Sequence, residues 1–266
     1  MNENIVTHQR KIRNKVFNIC GDKRDKSVFN NVLSNFYYED NMIDFYEELL
    51  KTDSVCIDAG ANVGILSIYM SMFTSGKIYA FEPVPQIFEA LQKTIESNDM
   101  KNVEIFNVAL GNKNSKETFS FNVEHNGGCR TLNEFNKGFH VHPLDESIEV
   151  NMITLDDFVK DHNVDKLDLL KMDVEGFEQQ VFEGGINTIE KFRPDIVSEF
   201  CHHMIKDVGL NPEQYFDILK KYYKNIYLID RPIMQLIRIK DSKQLEYILT
   251  SKYHNIGDIF ITNKEL

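Results

Sequence analysis

Apolar residues recur along this chain with two periods that take turns. SVCIDAG (residues 54–60) is a short apolar run closed by an acid and a glycine, which predicts a buried parallel strand. The spacing then changes, and Val63, Leu66, Tyr69, Met70 and Phe73 fall on one helical face. KIYAFEP (77–83) predicts a second strand, and Pro85 suits the first turn of a helix carrying Phe88, Leu91 and Ile95. VEIFNVAL (103–110) predicts the third strand. A β-α-β-α-β order of this kind implies a parallel sheet with right-handed crossovers.

From about residue 111 to 153 the alternation pauses. ETFSFNV and IEVNMIT predict strands on either side of the polar stretch HNGGCRTLNEFNKG, a hairpin-like insertion over one end of the sheet. Helix TLDDFVKDH, strand LDLLKMD, a helix from about residue 178 to 191 and strand PDIVSEF then follow. Asn211 and Pro212 predict the cap and first turn of a helix through Tyr222. NIYLID and IGDIFIT predict two final strands, an antiparallel pair at one sheet edge. Residues 1–50, with FYYEDNMIDFYEELL the clearest segment, predict an N-terminal helical cap before a domain spanning 51–266.

Composition narrows the class. The 266 residues carry 42% hydrophobic and 27% charged side chains, ordinary for a chain that buries a real core. A net charge of −11 works against binding to phosphate backbones, so no nucleic-acid partner is expected. No secretory signal and no run of 18 apolar residues is seen, so the expectation is a cytoplasmic protein without a membrane span. Cys20, Cys56, Cys129 and Cys201 are far apart and read as reduced thiols.

The most informative segment is DAGANVG (58–64), a turn between strand and helix. Gly60 allows a ligand to approach the backbone closely, and Gly64 allows tight packing at the helix start. The pattern D-x-G-x-x-x-G lacks the glycine spacing that cradles a pyrophosphate, so a cofactor without phosphates, S-adenosyl-L-methionine, fits better than NAD. Glu82 ends the second strand, 22 residues after Gly60, where an acid accepts hydrogen bonds from ribose hydroxyls. The expected cofactor set is Asp58, Gly60, Ala61, Asn62 and Gly64 in the loop, Glu82 and Pro83, Val108 and Ala109, and Asp173. Core packing accounts equally well for Val108 and Ala109.

VCIDAGANVG, AFEP, NVALG, ITLDDF, LLKMDVEGFEQQVFEGG and RPDIVSEF occur in the order seen in FkbM-type methyltransferases, and residues 50–200 resemble that family. The D-V-E-G-x-E segment at 173–178 is the most specific part. The resemblance implies a class I, Rossmann-like α/β fold: a seven-stranded, mostly parallel sheet with helices on both faces and the last strand antiparallel. It also implies S-adenosylmethionine as donor and a sugar or polyketide hydroxyl as acceptor.

Ligands of open α/β sheets sit at the carboxyl ends of the strands, so Asp173, Glu199 and His202 are the candidate catalytic residues. Asp173 is the first choice, with a helix N-cap as its alternative role. His202 has the pKa range of a base near neutrality. Asp173 and Glu199 would also suit Mg or Mn if a metal were required. His125, Arg130, His140 and His142 of the insertion are candidates for a polar lid. The MDVEG sequence after the fourth strand lacks the paired prolines of enzymes that methylate exocyclic amines of bases. The expected partner is a small-molecule or glycan acceptor, a nucleotide-linked sugar among the candidates, with homo-oligomerisation left open. A polyketide or other small-molecule hydroxyl is the alternative acceptor. A non-catalytic methyltransferase-like binding domain is the alternative function, and intact Gly60, Gly64 and Glu82 argue against it.

Overall fold

Exposed Thr7, Gln9 and Lys11 alternate with inward-facing His8, Arg10 and Ile12, a period of two that belongs to a strand. β1 (Ile5–Ile12) therefore pairs antiparallel with β2 (Lys15–Asp22), turning at left-handed Arg13 (φ 51°). This corrects the expectation of helix over residues 5–22. The strand period is masked in the sequence because its inner face holds Arg10, a buried guanidinium that pairs with Asp40 at 2.7 Å. Helices Val28–Leu33 and Met42–Leu49 follow the hairpin. The computed structural model describes residues 3–34, 40–128, 130–131 and 146–265.

β3 (Cys56–Ala59), β4 (Ile78–Phe81) and β5 (Val103–Phe106) form the predicted parallel run, joined by helices Ile65–Phe73 and Pro85–Ser97. The predicted third strand divides after Phe106. Asn107 donates its side-chain amide to the carbonyls of Glu82 (2.8 Å) and Pro83 (3.0 Å), and the chain leaves the main sheet there. It continues as β6 (Ala109–Gly111), β7 (Ser115–Phe121), β8 (Arg130–Thr131) and β9 (Glu146–Thr154), a second sheet in the order β6-β9-β7-β8. The antiparallel β7–β9 pair is the expected hairpin-like insertion.

β10 (Leu169–Met172) and β11 (Asp195–Cys201) extend the parallel sheet. The helix expected over 178–191 is two, Glu178–Glu183 and Ile186–Phe192. Gly184 separates them, and a Cβ there would lie 1.9 Å from the carbonyl oxygen of Gly111. β12 (Asn225–Asp230), β13 (Gln235–Arg238) and β14 (Ile256–Thr262) complete the main sheet. Its order is β13-β12-β14-β11-β10-β3-β4-β5, eight strands rather than seven. The additional strand, β13, is an antiparallel partner of β12 at the edge. β14 lies between β11 and β12, antiparallel to both, so it is interior rather than an edge strand.

Two buried clusters cover the two sheet faces. One gathers Phe158, Phe182, Phe200, Phe216 and Leu219. The other joins Ile12, Ile19, Phe29, Met42 and Tyr46 of the N-terminal segment to Ile68, Tyr69 and Leu91. Burial of this apolar surface, at roughly 25 cal/mol per Å², binds the first 50 residues to the sheet. Among the described residues no helix is long and apolar enough to cross a membrane.

Candidate functional site

The carboxyl ends of β3, β4, β10 and β11 converge on a cleft of about 1080 Å³, the open solvent at its mouth included. β3 is followed by Gly60, whose φ of +77° and whose contact with the chain after β10 both exclude a side chain. A Cβ at Gly60 would lie 1.8 Å from the carbonyl oxygen of Asp173. The loop is tied to β4 by the amides of Gly60 and Ala61, both donating to Phe81 O. Asn62 is left-handed (φ 50°), and its backbone N–H donates to Glu82 Oε2 at 3.0 Å. Val84 N–H donates to Glu82 Oε1 at 3.0 Å. Burial pushes the Glu82 carboxyl up to about 7 against the pull of these two amides and of Lys171.

Of the expected cofactor residues, Gly60, Ala61, Asn62, Glu82, Pro83, Val108, Ala109 and Asp173 line the cleft. Gly64 and Asp58 do not. Gly64 opens the helix Ile65–Phe73 against Leu91. Asp58 is fully buried beneath the loop, where Ser67 Oγ donates to Oδ2 at 2.5 Å and Lys171 Nζ lies 3.1 Å from Oδ1. Its carboxylate faces the core and not the ligand side, so its role is to hold the loop.

Lys171 is the residue that sequence reasoning missed. It lies on β10, 4% exposed, and its Nζ donates to the carbonyls of Gly60 (2.8 Å) and Ala59 (3.3 Å). It also stands 3.9 Å from Asp173 Oδ2. A lysine within the apolar strand LDLLKMD was the available signal, because a buried ammonium requires partners.

Asp173 follows β10 with its side chain 31% exposed, towards the cleft. It caps no helix, since the next one begins at Glu178 with Phe177 at its N-cap. The turn between them has positive φ at Glu175 (58°) and Gly176 (96°), and a Cβ at Gly176 would meet the Met204 backbone at 2.7 Å. Glu178 fixes this turn by accepting from Val174 N–H (2.9 Å) and Gly176 N–H (3.3 Å). That arrangement accounts for the D-V-E-G-x-E pattern. The first acid faces the ligand side, the glycine meets a neighbouring backbone and the last acid holds the turn.

Burial pushes Glu178 up to about 7 from an ordinary 4.5. The unfolded chain gives up this proton first, so the contribution to stability is full below 4.5 and is lost as pH rises to about 7. Gln at 178 keeps an acceptor for both amides without the titration. Glu178→Gln is therefore expected to gain roughly 1–3 kcal/mol on wild type between pH 5 and pH 8 in urea unfolding. An equal difference at both pH values would refute this.

Glu199, at the end of β11, completes the acidic wall. Its Oε2 is buried without a hydrogen-bond partner among the described residues. Burial, followed by the charges of Asp173, Glu175, Glu178 and Asp258, holds its carboxyl well above the usual range. Asp173 is raised by burial and drawn back by Lys171. The two acids share one low-dielectric space, and the proximity of Lys171 favours Asp173 as the ionised member.

His202 is not part of this cleft. It begins helix His202–Asp207, 7% exposed, with its ring edge-on to Phe200, and burial lowers its pKa. It is absent from the residues lining the cleft, in contrast to its expected place beside Asp173. His203 Nδ1 contacts Cys201 Sγ at 3.1 Å. Among the described residues no three His, Cys, Asp or Glu side chains are grouped to hold a metal. With Lys171 beside Asp173, the Asp173–Glu199 pair does not fit Mg or Mn. Of the other lid candidates, His125 is exposed, while His140, His142 and the Arg130 side chain lie outside the described residues, as does Cys129.

The chain is similar to several curated proteins. Over 162 residues it is 27% identical to Methyltransferase 1 of Beauveria bassiana, covering 56% of this chain and 65% of that protein. It thus spans just under two thirds of that relative's length. Over 170 residues it is 27% identical to the hexuronic acid methyltransferase AglP of Haloferax volcanii, covering 64% and 66%. Over 183 residues it is 24% identical to the 2-O-methyltransferase NoeI of Sinorhizobium fredii, covering 65% and 74%. The methyltransferase FkbM domain pattern matches residues 58–227, from the buried aspartate under the glycine loop to β12. With well over half its length so matched, the chain belongs to the FkbM methyltransferase domain family.

Proposed function

We propose that the protein is an S-adenosylmethionine-dependent O-methyltransferase acting on a sugar hydroxyl, on a nucleotide-linked sugar or a surface-polysaccharide precursor in the cytoplasm. The observation that carries this reading is the charge of the cleft. Four acids line it, Glu82, Asp173, Glu175 and Glu199, against one cationic side chain among the described lining residues, Lys171. At the donor's place such a wall suits a cationic cofactor and disfavours the pyrophosphate of a dinucleotide cofactor. The Gly60 turn gives a nucleoside close access to the backbone, and the Glu82 carboxylate, aimed by two amides, suits paired ribose hydroxyls. Support for a sugar acceptor comes from the name of the relative AglP, a hexuronic acid methyltransferase, and support for transfer to oxygen from that of NoeI, a 2-O-methyltransferase.

Bound there, the donor supplies a methyl group on a sulfonium that leaves as a neutral thioether. With the donor bound, Asp173 would accept the proton of the acceptor hydroxyl, whose oxygen would take the methyl group while the sulfonium left with the bonding pair as a thioether. Lys171 favours the ionised form of Asp173 for this, against the burial that raises both acids. Alignment between the β3 and β10 loops carries much of the rate, since correct orientation alone is worth roughly 7–11 kcal/mol.

The test is transfer of an isotopically labelled methyl group from S-adenosylmethionine to a panel of nucleotide-linked sugars. Labelled sugar is the expected result. Label appearing only in polyketide or other small hydroxyls would replace the acceptor. Folded protein that neither transfers nor binds S-adenosylhomocysteine would overturn the whole reading.

A further inference from the structure

Asn126 opens the 3-10 turn Asn126–Gly128 of the insertion and lines the cleft while only 5% exposed. Its Oδ1 is buried and accepts no hydrogen bond among the described residues. Buried carbonyl oxygens are rarely left unpaired, so an amide held this way calls for a partner from outside the protein.

The surroundings hold Asn126 in place from both sides. Its backbone N–H lies 3.4 Å from Asp25 Oδ1, and its carbonyl oxygen lies 3.4 Å from the side-chain amide of Asn62. Asp25 is 2% exposed and also accepts from Ser27 N–H (2.8 Å), Ser27 Oγ (2.7 Å) and Phe29 N–H (2.7 Å). Ser27 Oγ in turn receives Gly127 N–H at 3.2 Å, and Lys26 pairs with Glu124 at 2.6 Å. The N-terminal segment thus clasps the insertion at the cleft wall. Asn62 also donates its backbone N–H to Glu82, so the clasp lies next to the acid proposed for the ribose.

We infer that Asn126 is a ligand-binding residue whose side-chain oxygen accepts a hydrogen bond from the nucleoside part of the donor, and that Asp25 is the positioning residue that holds it there. The inference rests on the proposed donor site. It adds to that site a wall from two segments, one of which, residues 25–28, precedes the family match at 58–227.

Calorimetric titration with S-adenosylhomocysteine and with adenosine tests it. Asn126→Ala is expected to weaken both ligands about tenfold, the value of one hydrogen bond of ordinary strength. Its melting temperature without ligand stays level or rises, because the side-chain oxygen accepts no hydrogen bond among the described residues. A purely structural role would lower that temperature instead. Asn126→Ser serves as the second variant, with the same weakening expected. Asp25→Asn is expected to weaken binding in the wild-type background and to add nothing in the Asn126→Ala background. Binding by Asn126→Ala within about twofold of wild type would overturn the assignment of Asn126 while leaving the donor site standing. Additive effects of the two substitutions would overturn the positioning role of Asp25. Failure of the wild type to bind either ligand would remove the donor reading and the inference with it.

Discussion

Asp173→Asn is expected to lower kcat about 10²–10⁴-fold, the range that a positioned base contributes. The amide fills the same space at the end of β10 but takes no proton. Donor affinity should stay within about threefold of wild type, because the loss concerns the transition state rather than ground-state binding. Folding should not suffer. Burial raises the carboxyl of Asp173, so its charge is a cost to the native state at neutral pH, and the melting temperature is expected to hold or rise. The wild-type rate should fall as the solution is acidified, since the Asp173–Glu199 pair, both members raised, then takes up its second proton. The decisive set is kcat, donor KM and melting temperature for Asp173→Asn and Glu199→Gln. A kcat within about tenfold of wild type for Asp173→Asn would remove it as the base.

Lys171→Met is expected to cost about 3–5 kcal/mol in urea unfolding, the usual consequence of removing one member of a buried ion pair. The substitution leaves Asp58 fully buried without its ammonium partner, bonded through Ser67. It also takes the donor from the carbonyls of Ala59 and Gly60, which shape the ligand loop. Adding Asp58→Asn removes the carboxyl group left without its ammonium, and the double variant should regain a substantial part of the loss. Ligand affinity should not return with it, because the loop carbonyls still lack their donor. A loss below about 1 kcal/mol for Lys171→Met would show that the ammonium contributes little to the core.

Much of this fold is legible from local chemistry. β3, β4 and β10 are buried on both faces, so their sequences are nearly continuous apolar runs that announce themselves. Asn211 with Pro212, and Thr154 accepting from Asp157 N–H, are caps whose partners lie within a few residues. The glycine loop is legible for the same reason, because φ at Gly60 is a property of the turn itself. The N-terminal hairpin was not legible. Its strand period depends on Arg10 facing inward, and Asp40, thirty residues on, helps make that tolerable. The break between the helices after β10 was written in Gly184–Gly185, but its cause is the backbone of Gly111.

The candidate site divides along the same line. Sequence alone determined the strand-end placement of Gly60, Glu82, Asp173 and Glu199, because a parallel sheet brings its carboxyl ends to one edge whatever lies between them. Tertiary structure alone decided which nearby residues turn inward and which turn away. It buried Asp58 against Lys171, 113 residues distant, removed His202 from the cleft and brought Asn126 to its wall through Asp25. The physical reason is that a buried charge or amide takes its role from partners supplied by other segments, and their distance along the chain carries no local signal.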